Sequence, residues 1–184
     1  MKISEILNSI FFPRKTEYNS DEKDYLVHVD KNVNVGIRMF IASNNSPTIL
    51  FFHANAEITH EYDDIAQMYN KYNINFIVSG YRGYGLSNGQ PSMDTSLEDS
   101  LKIFDFVLDH LKSLKNKNHL VVMGRSLGST SASHLMLKRE QEIDGAIIDS
   151  GFATEYPFLL RFGLDPEEIN FSLSDGFNNL KKIK

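Results

Sequence analysis

HLVVMGRSLGSTSASHLMLK, residues 119–138, is the stretch that decides the architecture. His119 to Met123 is a short apolar run of the kind found in strands buried on both faces. Ser126 to Lys138 reads as a helix. Between them lies Gly124-Arg125-Ser126-Leu127-Gly128. A G-x-S-x-G turn between a buried strand and a helix is the context that a nucleophile elbow requires. The serine is forced into a strained conformation that projects its hydroxyl from the top of the sheet. A side chain at either glycine would collide with the neighbouring strand or helix. The helix N-terminus aims free N–H groups and its positive dipole end at the place where negative charge develops. The plainer alternative is a tight glycine turn holding a serine N-cap.

Working outward, three more buried-strand runs flank this unit: Thr48 to Phe52, Ile74 to Val78 and Ile143 to Ile148. Helical periodicity separates them. It runs over Glu61 to Tyr72 and over Leu97 to Leu114, where Leu97, Leu101, Phe104, Val107, Leu108 and Leu111 share a face. Strands alternating with helices imply a parallel sheet covered on both faces. Ahead of them, Tyr25 to Asp30 and Val33 to Ile41 flank Asp30-Lys31-Asn32 and read as an antiparallel hairpin at a sheet edge. Ile3 to Phe12 spaces Ile3, Ile6, Leu7, Ile10 and Phe11 as a short amphipathic helix, more readily packed on its own domain than laid on a membrane. Asp165-Pro166 reads as a helix start, with Asp165 as N-cap. The expected fold is a three-layer α/β/α domain over residues 1–184, mostly parallel, with an antiparallel N-terminal hairpin.

Composition narrows the function classes. The 184 residues are 41% hydrophobic and carry a formal net charge of −5, which suits one globular domain. No basic run suggests nucleic acid, and no apolar run is long enough for a membrane span. Cysteine is absent, which excludes disulfides, thiolate metal sites and cysteine nucleophiles. The first residues lack the pattern of a secretory signal, so the cytoplasm is the expected compartment. The glycines of residues 80–89 do not match a dinucleotide fingerprint. Gly128 is followed by Ser129 rather than lysine, so no phosphate loop is present. No metal or cofactor is expected.

A second signal supports the elbow. Phe51-Phe52-His53-Ala54-Asn55-Ala56 follows the first buried strand. An oxyanion hole needs one N–H from the residue after the nucleophile, here Leu127, and one from the loop after this strand, from Asn55 in preference to Ala54. His53 reads better as a brace for that loop than as a base.

These segments together resemble the α/β hydrolases, in the serine-aminopeptidase-like and depalmitoylase-like branch. Its HGN segment reads here His53-Ala54-Asn55, with alanine at the usual glycine. Its glycine-rich loop reads Gly80-Tyr81-Arg82-Gly83-Tyr84-Gly85-Leu86-Ser87-Asn88-Gly89-Gln90-Pro91-Ser92, and the elbow follows. The resemblance runs from about Pro13 through Phe162. It implies a serine hydrolase acting on an ester, thioester or amide through an acyl-enzyme on Ser126, with a small-molecule or acylated substrate. It also implies that Tyr81, Arg82 and Tyr84 line the active-site mouth, although plain packing explains the aromatics equally well.

A serine needs a base, and the base an orienting acid, in the chain order Ser, Asp/Glu, His. The only histidine after Ser126 is His134, eight residues along the same helix and so ~12 Å away. His28, His53, His60, His110 and His119 all precede the nucleophile, and His60 is the least remote substitute. Asp149, at the end of the next strand, stands where some α/β hydrolases place the triad acid, and also reads as a loop cap. The resemblance therefore implies an incomplete hydrolase domain lacking the last strands, inactive or weak as it stands. A non-catalytic hydrolase-like binding protein is the alternative. A second consequence is an apolar strand, Ile143 to Ile148, left at a sheet edge and inviting self-association.

Overall fold

The computed structural model describes residues 3–161 and 163–182. It begins with helix α1 (Ile3–Asn8), two residues into a chain whose next elements are strands β1 (Asp24–Asp30), β2 (Val33–Phe40) and β3 (Thr48–Phe52). A 3-10 turn (Thr59–Tyr62) leads into α2 (Asp63–Lys71). Then come β4 (Asn75–Ser79), α3 (Met93–Ser113), β5 (Leu120–Arg125), α4 (Gly128–Lys138) and β6 (Gly145–Asp149). Two short helices, α5 (Tyr156–Arg161) and α6 (Asn179–Lys182), close the described chain.

The six strands form one sheet in the order β1-β2-β4-β3-β5-β6. β1 pairs antiparallel with β2, and β2 with β4; the pairs β3–β4, β3–β5 and β5–β6 are parallel. The expected hairpin and parallel body are therefore both present. β3 (TILFF) and β4 (NFIVS) are buried along their whole length, because helices cover both faces.

On one face, Phe40, Phe51, Phe76 and Val78 pack under Ala66 and Tyr62, and Tyr69 stacks on Phe76 at 4.4 Å. On the other, Leu50, Phe52 and Ile77 meet Ile103, Phe104 and Val107 of α3 and Ala132 and Leu135 of α4. Each such side chain contributes ~1.5–3 kcal/mol by leaving water. The amphipathic start packs on its own domain: Leu7, Ile10 and Phe11 are buried.

Boundaries differ where caps outweigh periodicity. α3 starts at Met93, four residues before its first apolar stripe residue, because the Ser92 hydroxyl accepts the Thr95 N–H at 3.1 Å and fixes the first turn. Asp165 does cap, accepting the Glu167 N–H at 2.8 Å, but the turns after it never become a helix. The segment closes on itself through Phe171 N–H to Pro166 O at 2.8 Å. No described helix is long and apolar enough to cross a membrane.

Candidate active site

β5 ends and α4 begins with Ser126 between them, and the chain there is strained. Ser126 has φ +49°, the left-handed region, in a non-glycine residue. Two glycines permit the turn. A Cβ on Gly124 would lie 2.2 Å from the Gly128 carbonyl oxygen, and one on Gly128 would lie 2.0 Å from that of Phe52. Neither position tolerates a side chain. The Ser126 N–H donates to the Asp149 carbonyl at 2.9 Å, and the Ser129 hydroxyl to the Ser126 carbonyl at 2.6 Å.

Ser126 opens into a pocket of about 310 Å³ with Leu127, Asn55, Ile10, Phe12, Phe152, Phe158 and Arg161. Ser126, Leu127 and Asn55, the three residues singled out for nucleophile and oxyanion hole, thus lie together in one cavity. Of the two candidate loop donors, the Ala54 N–H is already taken by Glu57 Oε2 at 2.8 Å. The alanine at position 54 costs no strain, since the positive φ of this loop falls on Ala56 (φ +62°).

The Asn55 side chain does the bracing. Its Oδ1 accepts from Phe12 N–H (3.0 Å), Tyr84 Oη (2.7 Å) and Ala56 N–H (2.9 Å), and its Nδ2 donates to the Ile10 carbonyl. The segment after α1 is thereby tied to the loop and becomes a wall of the pocket. Glu57 is a second hub. Besides the Ala54 N–H it accepts from Tyr62 Oη and lies 3.3 Å from Arg125, which is 3.6 Å from Asp149. Burial and the Glu57 contact push the Tyr62 hydroxyl up. Nothing in the sequence marked Glu57, Ile10 or Phe12 for this place. Contacts made across 43 and 45 positions leave no local pattern.

The glycine-rich loop is placed differently from the resemblance. Tyr81 and Tyr84 are buried, and Arg82 turns inward to pair with Asp99 through two bonds of 2.7 and 2.9 Å. None of the three lines the Ser126 pocket. Tyr81 Oη instead donates to the His53 carbonyl at 2.7 Å, so this loop braces the site from beneath.

None of the six histidines lines the pocket either. His53 is fully buried, its Nδ1 2.7 Å from the Ala54 carbonyl and its ring against Tyr81, and burial pushes its pKa down. It braces the loop. His60 does not line the pocket; its Nε2 lies 3.4 Å from Asp24 and its ring stacks on Tyr18 at 5.3 Å. Asp24 is itself bound to buried Arg38, so His60 belongs to that ion cluster. His119 pairs with Asp144 at 3.1 Å, and His134 is held neutral by burial and nearby lysines, its pKa lowered to about 4. Asp149 offers its main chain to Ser126 but its carboxylate to Arg125 and the Ser150 hydroxyl (2.9 Å). Among the described residues no cluster of His, Asp or Glu could hold a metal ion.

A family model described as serine aminopeptidase, S33, a hydrolase family, matches residues 43–159, more than half of the chain. The chain belongs to this family of α/β hydrolases. It is 28% identical to protein bem46 of Schizosaccharomyces pombe over 77% of the chain and 48% of that protein. It is 32% identical to the lysophosphatidylserine lipase ABHD12 of Xenopus tropicalis over 64% of the chain and 32% of that protein. The chain thus spans about half or less of the length of these relatives. The Pyrococcus furiosus esterase Pf2001 superposes with a TM-score of 0.64 at 18% identity, over 92% of this chain and 72% of the esterase, which is a likeness of fold.

Proposed function

We propose that residues 1–184 belong to a single hydrolase domain and carry the nucleophile half of a serine-hydrolase site. Ser126 attacks the carbonyl of an ester, thioester or amide, and the N–H groups of Leu127 and Asn55 hold the oxyanion. The single observation that carries this reading is the strained φ of Ser126, held by two glycines at the mouth of an apolar pocket. Strain of 1–3 kcal/mol persists where the surroundings over-determine it, and clusters at working sites. Among the substrate classes, monoacyl esters fit best, because the pocket walls are aromatic and aliphatic and the relative ABHD12 is named a lysophosphatidylserine lipase. The acyl-enzyme needs no metal or cofactor. The reading keeps the cytoplasm as compartment and self-association through the β6 edge.

No histidine of the chain reaches the pocket, and Asp149 is turned to Arg125. The general base is therefore not among these residues, and turnover by the chain alone is expected to reflect oxyanion hole and binding only, ~10³–10⁴-fold over water. The same observation favours a second reading, a hydrolase-like protein that binds a ligand without cleaving it. Chemical rescue separates them. Hydrolysis of p-nitrophenyl butyrate is measured against imidazole concentration for the wild type and Ser126→Ala. An imidazole-dependent rate in the wild type above that of the variant supports the hydrolase; identical rates establish the binding protein.

A further inference from the structure

The pocket in front of Ser126 contains one charge. Besides Ser126 and the uncharged Asn55, five lining residues are apolar (Ile10, Phe12, Leu127, Phe152 and Phe158), and the charged one is Arg161, the last residue of α5. No acidic residue lines this cavity, and Arg161 is exposed, with no ion pair or hydrogen bond from its side chain among the described residues. The contrast with the other arginines is informative. Arg14 pairs with Glu61, Arg38 with Asp21, Asp24 and Asp63, Arg82 with Asp99, Arg125 with Glu57, and Arg139 with Asp105. In a chain of net charge −5, carboxylates are plentiful, yet none among the described residues neutralises this guanidinium. The C-terminal carbonyls of α5 favour a cation there, but they do not require it to face a cavity.

A planar guanidinium offers paired donors that match a phosphate or carboxylate, and a lysine would not hold such a group as specifically. The aromatic pair Phe152 and Phe158, edge to face at 4.8 Å, supplies an apolar wall for a chain or ring. We infer that the Ser126 pocket takes an anionic amphiphile, an apolar acyl or aryl group joined to a phosphate or carboxylate, with Arg161 as the counter-charge that selects it. This rests on the pocket assignment above and adds the charge of the substrate to it. Arg161 acts on affinity and selection, and the reacting atoms remain with Ser126.

The test is equilibrium binding to the Ser126→Ala chain, which has no nucleophile. A failure of Ser126 to react therefore leaves this experiment intact. Titration calorimetry compares mono-octyl phosphate, octanoate, neutral octyl glucoside (each below its micellar concentration) and inorganic phosphate. Tighter binding of the two octyl anions than of octyl glucoside by about tenfold is expected, as for one charge-assisted pair. Arg161→Gln should bring that ratio near one and leave octyl glucoside binding unchanged, and Arg161→Lys should restore part of it. Equal binding of charged and neutral octyl ligands, or an anion preference that survives Arg161→Gln, overturns the inference. Inorganic phosphate binding as tightly as octyl phosphate also overturns it, because the site would then be for a free anion.

Discussion

Ser126 holds a backbone conformation that costs an L-residue ~1–2 kcal/mol, and glycine nothing. Its neighbours enforce it through the Asp149 carbonyl and the Ser129 hydroxyl. Ser126→Gly is therefore expected to be more stable than Ser126→Ala by about 1 kcal/mol in urea unfolding; equal stabilities would mean the turn is not strained. At Gly124 and Gly128 the sign reverses. A methyl group at either would press on main-chain oxygen at 2.2 or 2.0 Å. Gly124→Ala and Gly128→Ala should each lose about 3 kcal/mol or more, at the upper end of overpacking, and a loss under ~1 kcal/mol would refute the close approach. Asn55→Ala tests the loop. Its side chain makes four bonds: two tie Ile10 and Phe12 to the loop after β3, and two hold Tyr84 and Ala56. Its removal leaves part-buried groups unpaired at ~1–3 kcal/mol.

At the scale of elements, α4 carries the clearest dependence on pH. His134 is half-buried, with its pKa lowered to about 4 by burial first and then by Lys182 of α6 and Lys138. The folded pKa lies below the ordinary 6.5, so the unfolded chain binds this proton more tightly. The contribution is full above pH 6.5 and is lost as pH falls toward 4. Urea midpoints measured from pH 7 to 4 should fall less steeply for His134→Gln than for the wild type; parallel curves would contradict the assignment.

The elements themselves were largely legible, because buried strands such as Thr48–Phe52 and stripes such as Phe104, Val107 and Leu111 are local patterns. Less legible were ends set by side-chain caps, as at Ser92. Least legible were features built from distant residues. Ser126, Leu127 and Asn55 could be named from motif and spacing. The Glu57–Arg125 contact and the Ile10–Phe12 wall join segments far apart in sequence. Arg82 was legible as a residue of the glycine-rich loop but not in its direction, because its partner Asp99 sits a full turn or more inside α3.

For the whole molecule, the sheet presents β6 with a single neighbour, β5, and with Ile147 and Ile148 exposed at 42% and 38%. An apolar edge strand with unpaired main-chain groups is a template for pairing. The isolated chain is expected to self-associate in light scattering, and Ile147→Lys to shift it toward monomer. A monodisperse wild-type monomer would contradict this. The proposed reaction nevertheless centres on one atom, the Ser126 hydroxyl oxygen. The most direct measurement is prolonged incubation of the chain with a fluorophosphonate, then intact mass and peptide mapping, beside Ser126→Ala and His60→Ala. A single adduct on Ser126 is expected, absent from Ser126→Ala and unchanged in His60→Ala, since His60 stands with Asp24 and Tyr18 outside the pocket lining. No adduct in the wild type, or one that mapping places elsewhere, would contradict it.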